Sequence, residues 1–230
     1  MAARLVILDR DSEWYAVMCQ RIHADVVSVS FEGQADYVGR KVDDRIMKVN
    51  GIDYTMPLPG DHIMRNALRV IALASEIGMA PEEISEGLAR FKAPPMRWQL
   101  MEVNGIRFIN DAYNANPLSM RASLSTFSGL PDGKKKWAVI GGMRELGDTA
   151  EEEHAALGPF IDRLALDGVI IVGELARSIV CKDTTAFFHC ADADRAAIIL
   201  RERLQSGDRV LLKASRGEQL ERVINHFKEM

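Results

Sequence analysis

Two short apolar runs, Leu5-Val6-Ile7-Leu8 and Val26-Val27-Ser28-Val29, flank a stretch in which Trp14, Tyr15, Val17, Met18 and Ile22 recur at helical spacing. Continuous apolar runs of this length mark strands covered on both faces, so the pattern predicts strand, helix, strand in a parallel layer. The first run starts almost at the initiator Met, so the layer has few strands of its own, and a chain cut from a longer parent is expected. Asn50-Gly51, between Ile46/Val49 and Ile52/Tyr54, predicts a type I′ hairpin. After Pro57-Leu58-Pro59-Gly60, the 3.6-residue period from Ile63 to Ile77 predicts a helix stopped by Gly78. Pro81 opens another, with Glu82 and Glu83 in its first turn and Ile84, Leu88 and Phe91 as its apolar positions. Lys92-Ala93-Pro94-Pro95 cannot continue that helix, and a domain boundary is placed there, dividing 1–93 from 94–230.

Beyond the boundary the pattern becomes regular. A hairpin at Asn104-Gly105 is followed by strands over Trp137–Ile140, Val169–Val172, Ala186–His189 and Arg209–Leu212, with a helical segment expected between each pair. Strands alternating with helices predict an α/β fold, a Rossmann-like, mostly parallel sheet between two helical layers. Asn116-Pro117 and Asp192 are placed to open helices, and Thr149 with Glu152 reads as a capping box.

Composition narrows the class. With 230 residues, 47% hydrophobic and 27% charged, the chain is globular and holds one or two domains. The 29 Lys and Arg against 33 Asp and Glu, net −4, give no cationic excess for a nucleic-acid backbone, so no nucleic acid partner is expected. No apolar run approaches the roughly 18–20 residues of a membrane span, and MAARLVILDR lacks the features of a signal peptide, so a cytoplasmic location is expected. Cys19, Cys181 and Cys190 form no C-x-x-C pair and read as packing residues. His23, His62, His154, His189 and His226 show no i, i+4 pairing, so no metal site is expected from them, and His189 reads as a core or strand-end residue. Met64, Met79, Met96, Met101, Met120 and Met143 read as core filling.

In an open parallel sheet ligands bind beyond the carboxyl ends of the strands, so the segments just after each strand are where chemistry is sought. Asn110-Asp111-Ala112-Tyr113-Asn114-Ala115-Asn116-Pro117 offers a carboxylate and several amides, though such a stretch is equally an ordinary turn and cap. Gly141-Gly142-Met143-Arg144-Glu145-Leu146-Gly147 reads as a flexible loop whose N–H groups can approach an anion. Lys213-Ala214-Ser215-Arg216-Gly217 places two cations and a hydroxyl at a strand end, suited to a carboxylate or phosphate, or simply to a solvated helix start. No G-x-G-x-x-G or G-x-x-x-x-G-K-[ST] string occurs.

Taken in order, Gly60-Asp61-His62-Ile63-Met64-Arg65-Asn66-Ala67-Leu68, the Arg97 after Ala-Pro-Pro-Met, Asn110 to Met120, Gly141 to Gly147 with His154 downstream, and Lys213-Ala214-Ser215-Arg216 resemble the Mur ligases. The Tyr113 to Met120 string is similar to the member of that family that adds D-alanyl-D-alanine. The resemblance implies an ATP-dependent amide ligase of peptidoglycan synthesis, joining D-alanyl-D-alanine to UDP-N-acetylmuramoyl-tripeptide through an acyl phosphate. It further implies nucleotide contacts from Asn66 (adenine), Arg97 (phosphates) and Asp111 (ribose), and a dipeptide side lined by Asn114, Asn116, Lys213, Ser215 and Arg216. Residues 1–93 would then be the truncated end of an α/β ATPase domain and 94–230 the C-terminal domain. The UDP-binding domain, the phosphate loop and the magnesium ligands would precede residue 1, leaving no catalytic or metal-binding residue in this chain and no activity in the chain alone. Four positions depart from the family pattern: Ile63 where Asn is usual, Met96 and Ala214 where Gly is common, and Gly142 where Asp is usual. Another Mur-type amide ligase, and a non-catalytic binding or scaffold module, remain as alternatives.

Overall fold

A computed structural model describes residues 5–131, 134–184 and 186–229. The chain forms two compact units that divide between Lys92 and Ala93. The first contains β1 (Leu5–Asp9), α1 (Tyr15–Arg21), β2 (Asp25–Ser30), β3 (Tyr37–Lys41), β4 (Ile46–Val49), β5 (Ile52–Thr55), α2 (Asp61–Glu76) and α3 (Pro81–Arg90). Its sheet runs β1-β2-β3-β4-β5, parallel from β1 to β3 and antiparallel from β3 to β5. Asn50 (φ 46°) and Gly51 (φ 93°) both take the left-handed conformation that a two-residue type I′ turn requires. Val29, Met47, Tyr54 and Met56 pack against Met64, Leu68 and Ile71 of α2 and Ile84 of α3.

Two expectations for this unit are corrected. Helix α1 buries none of its residues, and Trp14 (60%) and Val17 (39%) stay exposed, because the helix is only seven residues long and follows the edge strand β1. Phe91 is also exposed: α3 ends at Arg90, and Phe91 turns into extended backbone (ψ 129°) past the last helical turn.

The second unit contains β6 (Gln99–Val103), β7 (Ile106–Asn110), α4 (Pro117–Ser128), β8 (Lys136–Gly141), α5 (Ala150–Ala155), α6 (Leu157–Asp162), β9 (Gly168–Val172), β10 (Phe187–Cys190), α7 (Ala193–Arg203), β11 (Arg209–Lys213) and α8 (Glu221–Lys228). The sheet order is β10-β9-β8-β11-β7-β6, with only β6 antiparallel to its neighbour. Strand side chains alternate between two cores. Trp137, Val139, Val210 and Leu212 meet Leu200 of α7 and Val223, Ile224 and Phe227 of α8. Ala138, Ile140 and Leu211 are fully buried on the opposite face, the side of α4 and α6. The α/β, mostly parallel architecture expected from the sequence is therefore present.

Several local expectations give way. No helix joins β9 to β10 among the described residues. Two i→i+3 turns (Arg177 N to Glu174 O, Ile179 N to Ala176 O) lead into backbone that presses on α6 at Gly158, where a side chain would overlap the Val180 carbonyl. That close approach leaves no room for a helix between α6 and the chain. Thr149 is not a cap: it closes a 3₁₀ turn that runs straight into α5, its φ and ψ (−87°, 1°) are not extended, and its hydroxyl donates to Leu146 O. His189 is exposed near the end of the edge strand β10, so of its two readings the strand-end one holds and the core one does not. Met64, Met120 and Met143 fill cores as expected, whereas Met79 is exposed.

Gly158 gives a test of this packing. In an unconstrained helix Gly→Ala stabilises by about 1 kcal/mol. Here overpacking against rigid backbone, costing about 1–3 kcal/mol or more, should dominate, so Gly158→Ala should lower the urea midpoint. A raised midpoint would refute the close contact.

Candidate functional site

The carboxyl ends of parallel strands emerge on one rim, and β11 is inserted between β8 and β7, so the segments that follow these three strands are neighbours. Three segments meet on this rim, following β7, β8 and β11. Lys213, at the end of β11, is 3% exposed. Its ammonium donates to Asp111 O (3.2 Å) and Asn114 O (2.7 Å) and pairs with Asp111 Oδ2 (3.0 Å). Those three acceptors engage all three ammonium donors. The Asp111 carboxylate also accepts from Trp98 N (3.1 Å) and Ser123 Oγ (2.9 Å), tying the start of the unit and helix α4 to the same point.

The segments after β8 and β11 are stitched to each other. Ser215 N donates to Gly142 O, and Arg144 N donates to Ser215 Oγ, each at 3.0 Å. Met143 N donates to Nε2 of the buried His154 (2.8 Å), which leaves the ring proton on Nδ1, 2.6 Å from Ala150 O. In the loop read from sequence as flexible and open to an anion, the amides of Met143 and Arg144 are already engaged. Beside it, the side chain of Glu218 lies over three glycines. A Cβ on Gly141 would come within 2.8 Å of Glu218 Cγ, one on Gly142 within 3.4 Å of Oε1, and one on Gly173 within 2.6 Å of Oε2. Burial pushes the Glu218 carboxyl above the usual carboxylate range, against the opposing pull of the Arg144 guanidinium.

Arg97 is exposed, its guanidinium 4.5 Å from the Tyr113 ring centroid. It sits between Met96 (φ 61°) and Trp98 (φ 51°), two non-glycine residues in the left-handed region. Asn114 is exposed, with Oδ1 accepting from Ala115 N (2.9 Å). Asn116 caps α4, its Oδ1 accepting from Ser119 N (2.8 Å) while Ser119 Oγ accepts from Asn116 N (3.0 Å). Arg216 is exposed and pairs with Glu221. Asp111, Asn114, Lys213 and Ser215 are therefore joined by direct bonds or through the loops between them. Asn66 belongs to the first unit, where it is exposed on α2 with Oδ1 accepting from Arg69 Nη1 (3.2 Å).

Lys213, read from sequence as facing a ligand carboxylate, is buried with its ammonium engaged by Asp111 and Asn114, a clamp between two segments of the rim. Glu218 was missed, since nothing in the spacing links it to Gly141, Gly142 and Gly173. Also missed was a network at the ends of β1 and β2. There Asp11 accepts from Ser30 Oγ (2.5 Å), Phe31 N (2.8 Å) and Arg65 Nη1 (3.1 Å). Burial acts to raise the Asp11 carboxyl, but those donors hold it below the ordinary carboxylate value.

The rim belongs to a three-layer unit with a mostly parallel sheet, and residues 96–216 match the family described as "Mur ligase, glutamate ligase domain". The chain belongs to the Mur ligase family. A UDP-N-acetylmuramoyl-tripeptide–D-alanyl-D-alanine ligase of Bacillus subtilis is 34% identical over 190 residues, which cover 79% of this chain and 41% of that protein. The Escherichia coli ligase of the same name is 31% identical over 183 residues, 77% of this chain and 39% of that protein. The MurF ligase of Thermotoga maritima in complex with ADP superposes with a TM-score of 0.83 at 25% identity, covering 98% of this chain and 53% of that one. The chain spans about half the length, or somewhat less, of the relatives it matches.

The clamp can be tested by a double-mutant cycle. Removing one partner of a buried pair costs about 3–5 kcal/mol, so Lys213→Met should strongly lower stability to urea. Lys213→Met combined with Asp111→Asn should fall short of the sum of the singles by about 1–3 kcal/mol. Simple additivity would mean that the pair is not coupled.

Proposed function

We propose that this chain is the C-terminal portion of an ATP-dependent ligase that adds D-alanyl-D-alanine to UDP-N-acetylmuramoyl-tripeptide through an acyl phosphate in peptidoglycan synthesis. In this reading the first unit is the last part of the central ATP-binding domain and the second is the C-terminal domain. The observation that carries it is the convergence of the segments after β7, β8 and β11 on one rim. The names and identities of the relatives in Bacillus subtilis and Escherichia coli support the choice of substrates.

Arg97 is proposed for the nucleotide phosphates, a role its exposed guanidinium, fixed against Tyr113, fits well. Asn66 is proposed for adenine. Asp111, engaged by three donors, is proposed to act near the ribose chiefly by fixing the backbone of its own segment. The exposed amides of Asn114 and Asn116, with Ser215 and Arg216, are proposed to receive the dipeptide, over a surface held in shape by Lys213. ATP and magnesium are proposed for the whole enzyme. Among the described residues no group of three or more His, Cys, Asp or Glu is placed to hold a metal. Among the same residues no helix is long and apolar enough to cross a membrane.

Titration of the purified 230-residue chain tests this reading. D-alanyl-D-alanine should bind with Kd near 1 mM, about −4 kcal/mol, and L-alanyl-L-alanine at least tenfold more weakly. Without a phosphate loop, ATP plus both substrates should give no phosphate release above background. Equal binding of the two stereoisomers would overturn the dipeptide assignment, and phosphate release would overturn the inactivity of the chain alone.

A further inference from the structure

Glu218 stands on the functional rim but has no place in the roles assigned above. Its side chain is 13% exposed and lies over Gly141, Gly142 and Gly173, at the carboxyl ends of two adjacent strands, β8 and β9. A side chain at Gly141 or Gly173 would crowd it, whereas one at Gly142 would first meet Leu175, so the backbone at the first two positions leaves room for the carboxylate. Among the described residues its one salt-bridge partner is Arg144 Nη2 at 3.9 Å, beyond hydrogen-bonding distance, and the His154 ring also lies near enough to act on it. The Arg144 guanidinium is itself laid across Gly217, where a side chain would collide with it. Glu218 therefore offers acceptor lone pairs from a largely desolvated position without a strong donor to fill them, and such a group favours a cationic N–H partner.

We propose that Glu218 binds the ammonium group of the incoming dipeptide, a role that rests on the function proposed above. The carboxylate would receive the amino end while the amides of Asn114 and Asn116 and the hydroxyl of Ser215 receive the remainder. Ser215, itself buried, accepts from the Arg144 amide, and Arg144 is the ionic neighbour of Glu218, so the two groups share one loop. The upward push that burial gives the Glu218 carboxyl reflects the same missing partner, since a bound cation would favour its ionised form.

The test compares D-alanyl-D-alanine with N-acetyl-D-alanyl-D-alanine, which has no ammonium group, on the 230-residue chain and on its Glu218→Gln variant. The unaltered chain should bind the free dipeptide at least tenfold more tightly than the acetylated one. Glu218→Gln should weaken the free dipeptide about tenfold, leave the acetylated one unchanged, and so abolish the preference. If the chain selects D over L stereoisomers yet shows no preference for the free amine, or if the variant keeps that preference, the role of Glu218 is overturned while the dipeptide reading stands. If the unaltered chain does not distinguish the stereoisomers, the dipeptide reading falls and the role of Glu218 falls with it. The comparison on the unaltered chain needs no folded variant.

Discussion

A single buried ammonium organises the second unit. Lys213 reaches the end of β11 where apolar alternation would place another core residue, and it brings a charge whose burial is unfavourable unless every donor finds an acceptor. Two backbone carbonyls and one carboxylate oxygen of the neighbouring segment meet that need. The segment after β7 can therefore take one path only, and Asp111 passes the constraint on to Trp98 and to Ser123 of α4. Sheet topology puts the strand ends on one side; this pair decides where the chain goes next.

The same economy of space shows in the departures from the family pattern. The methyl group of Ala214 lies 2.8 Å from where a Cβ of Gly141 would sit, so a larger residue at one strand end is accommodated by the smallest one at the other. Gly142 lacks the side chain expected at its position, and Leu175 takes up the space, its Cβ 2.6 Å from where a Cβ of Gly142 would sit. Ile63 joins the apolar cluster of the first unit, which accounts for an apolar residue there. Met96 has no such compensation: at φ 61° it adopts a conformation that glycine would take without strain.

What was legible in the sequence follows the range of the interactions involved. Hairpins at Asn50-Gly51 and Asn104-Gly105, the stop at Gly78 and the caps at Asn116 and Asp192 are set by residues within a turn of each other, and all are present. The alternation of strands with helices gave the parallel sheet of the second unit. The connection from β9 to β10 was misread because its path is set by Gly158, in a different helix, rather than by its own composition. Lys213 and the Asn-rich segment could be picked out as polar residues at strand ends, but their arrangement could not: which donor meets which acceptor depends on contacts about a hundred residues apart. Glu218 left no trace, since a glutamate in a polar turn looks like any solvated residue until the glycines beneath it are seen.

The left-handed pair around Arg97 has a consequence for motion. Holding Met96 and Trp98 there costs on the order of 1–2 kcal/mol each, and the Trp98 amide is held by Asp111. Arg97 is thus displayed by a strained segment anchored to the Lys213 pair, not by a rigid element of its own. Release of that anchor would let both residues relax and the guanidinium swing away from Tyr113. In hydrogen exchange the amides of Trp98, Asp111 and Tyr113 should accordingly open as one cooperative group, with the cation at one end of the rim and the clamp at the other sharing a single local stability.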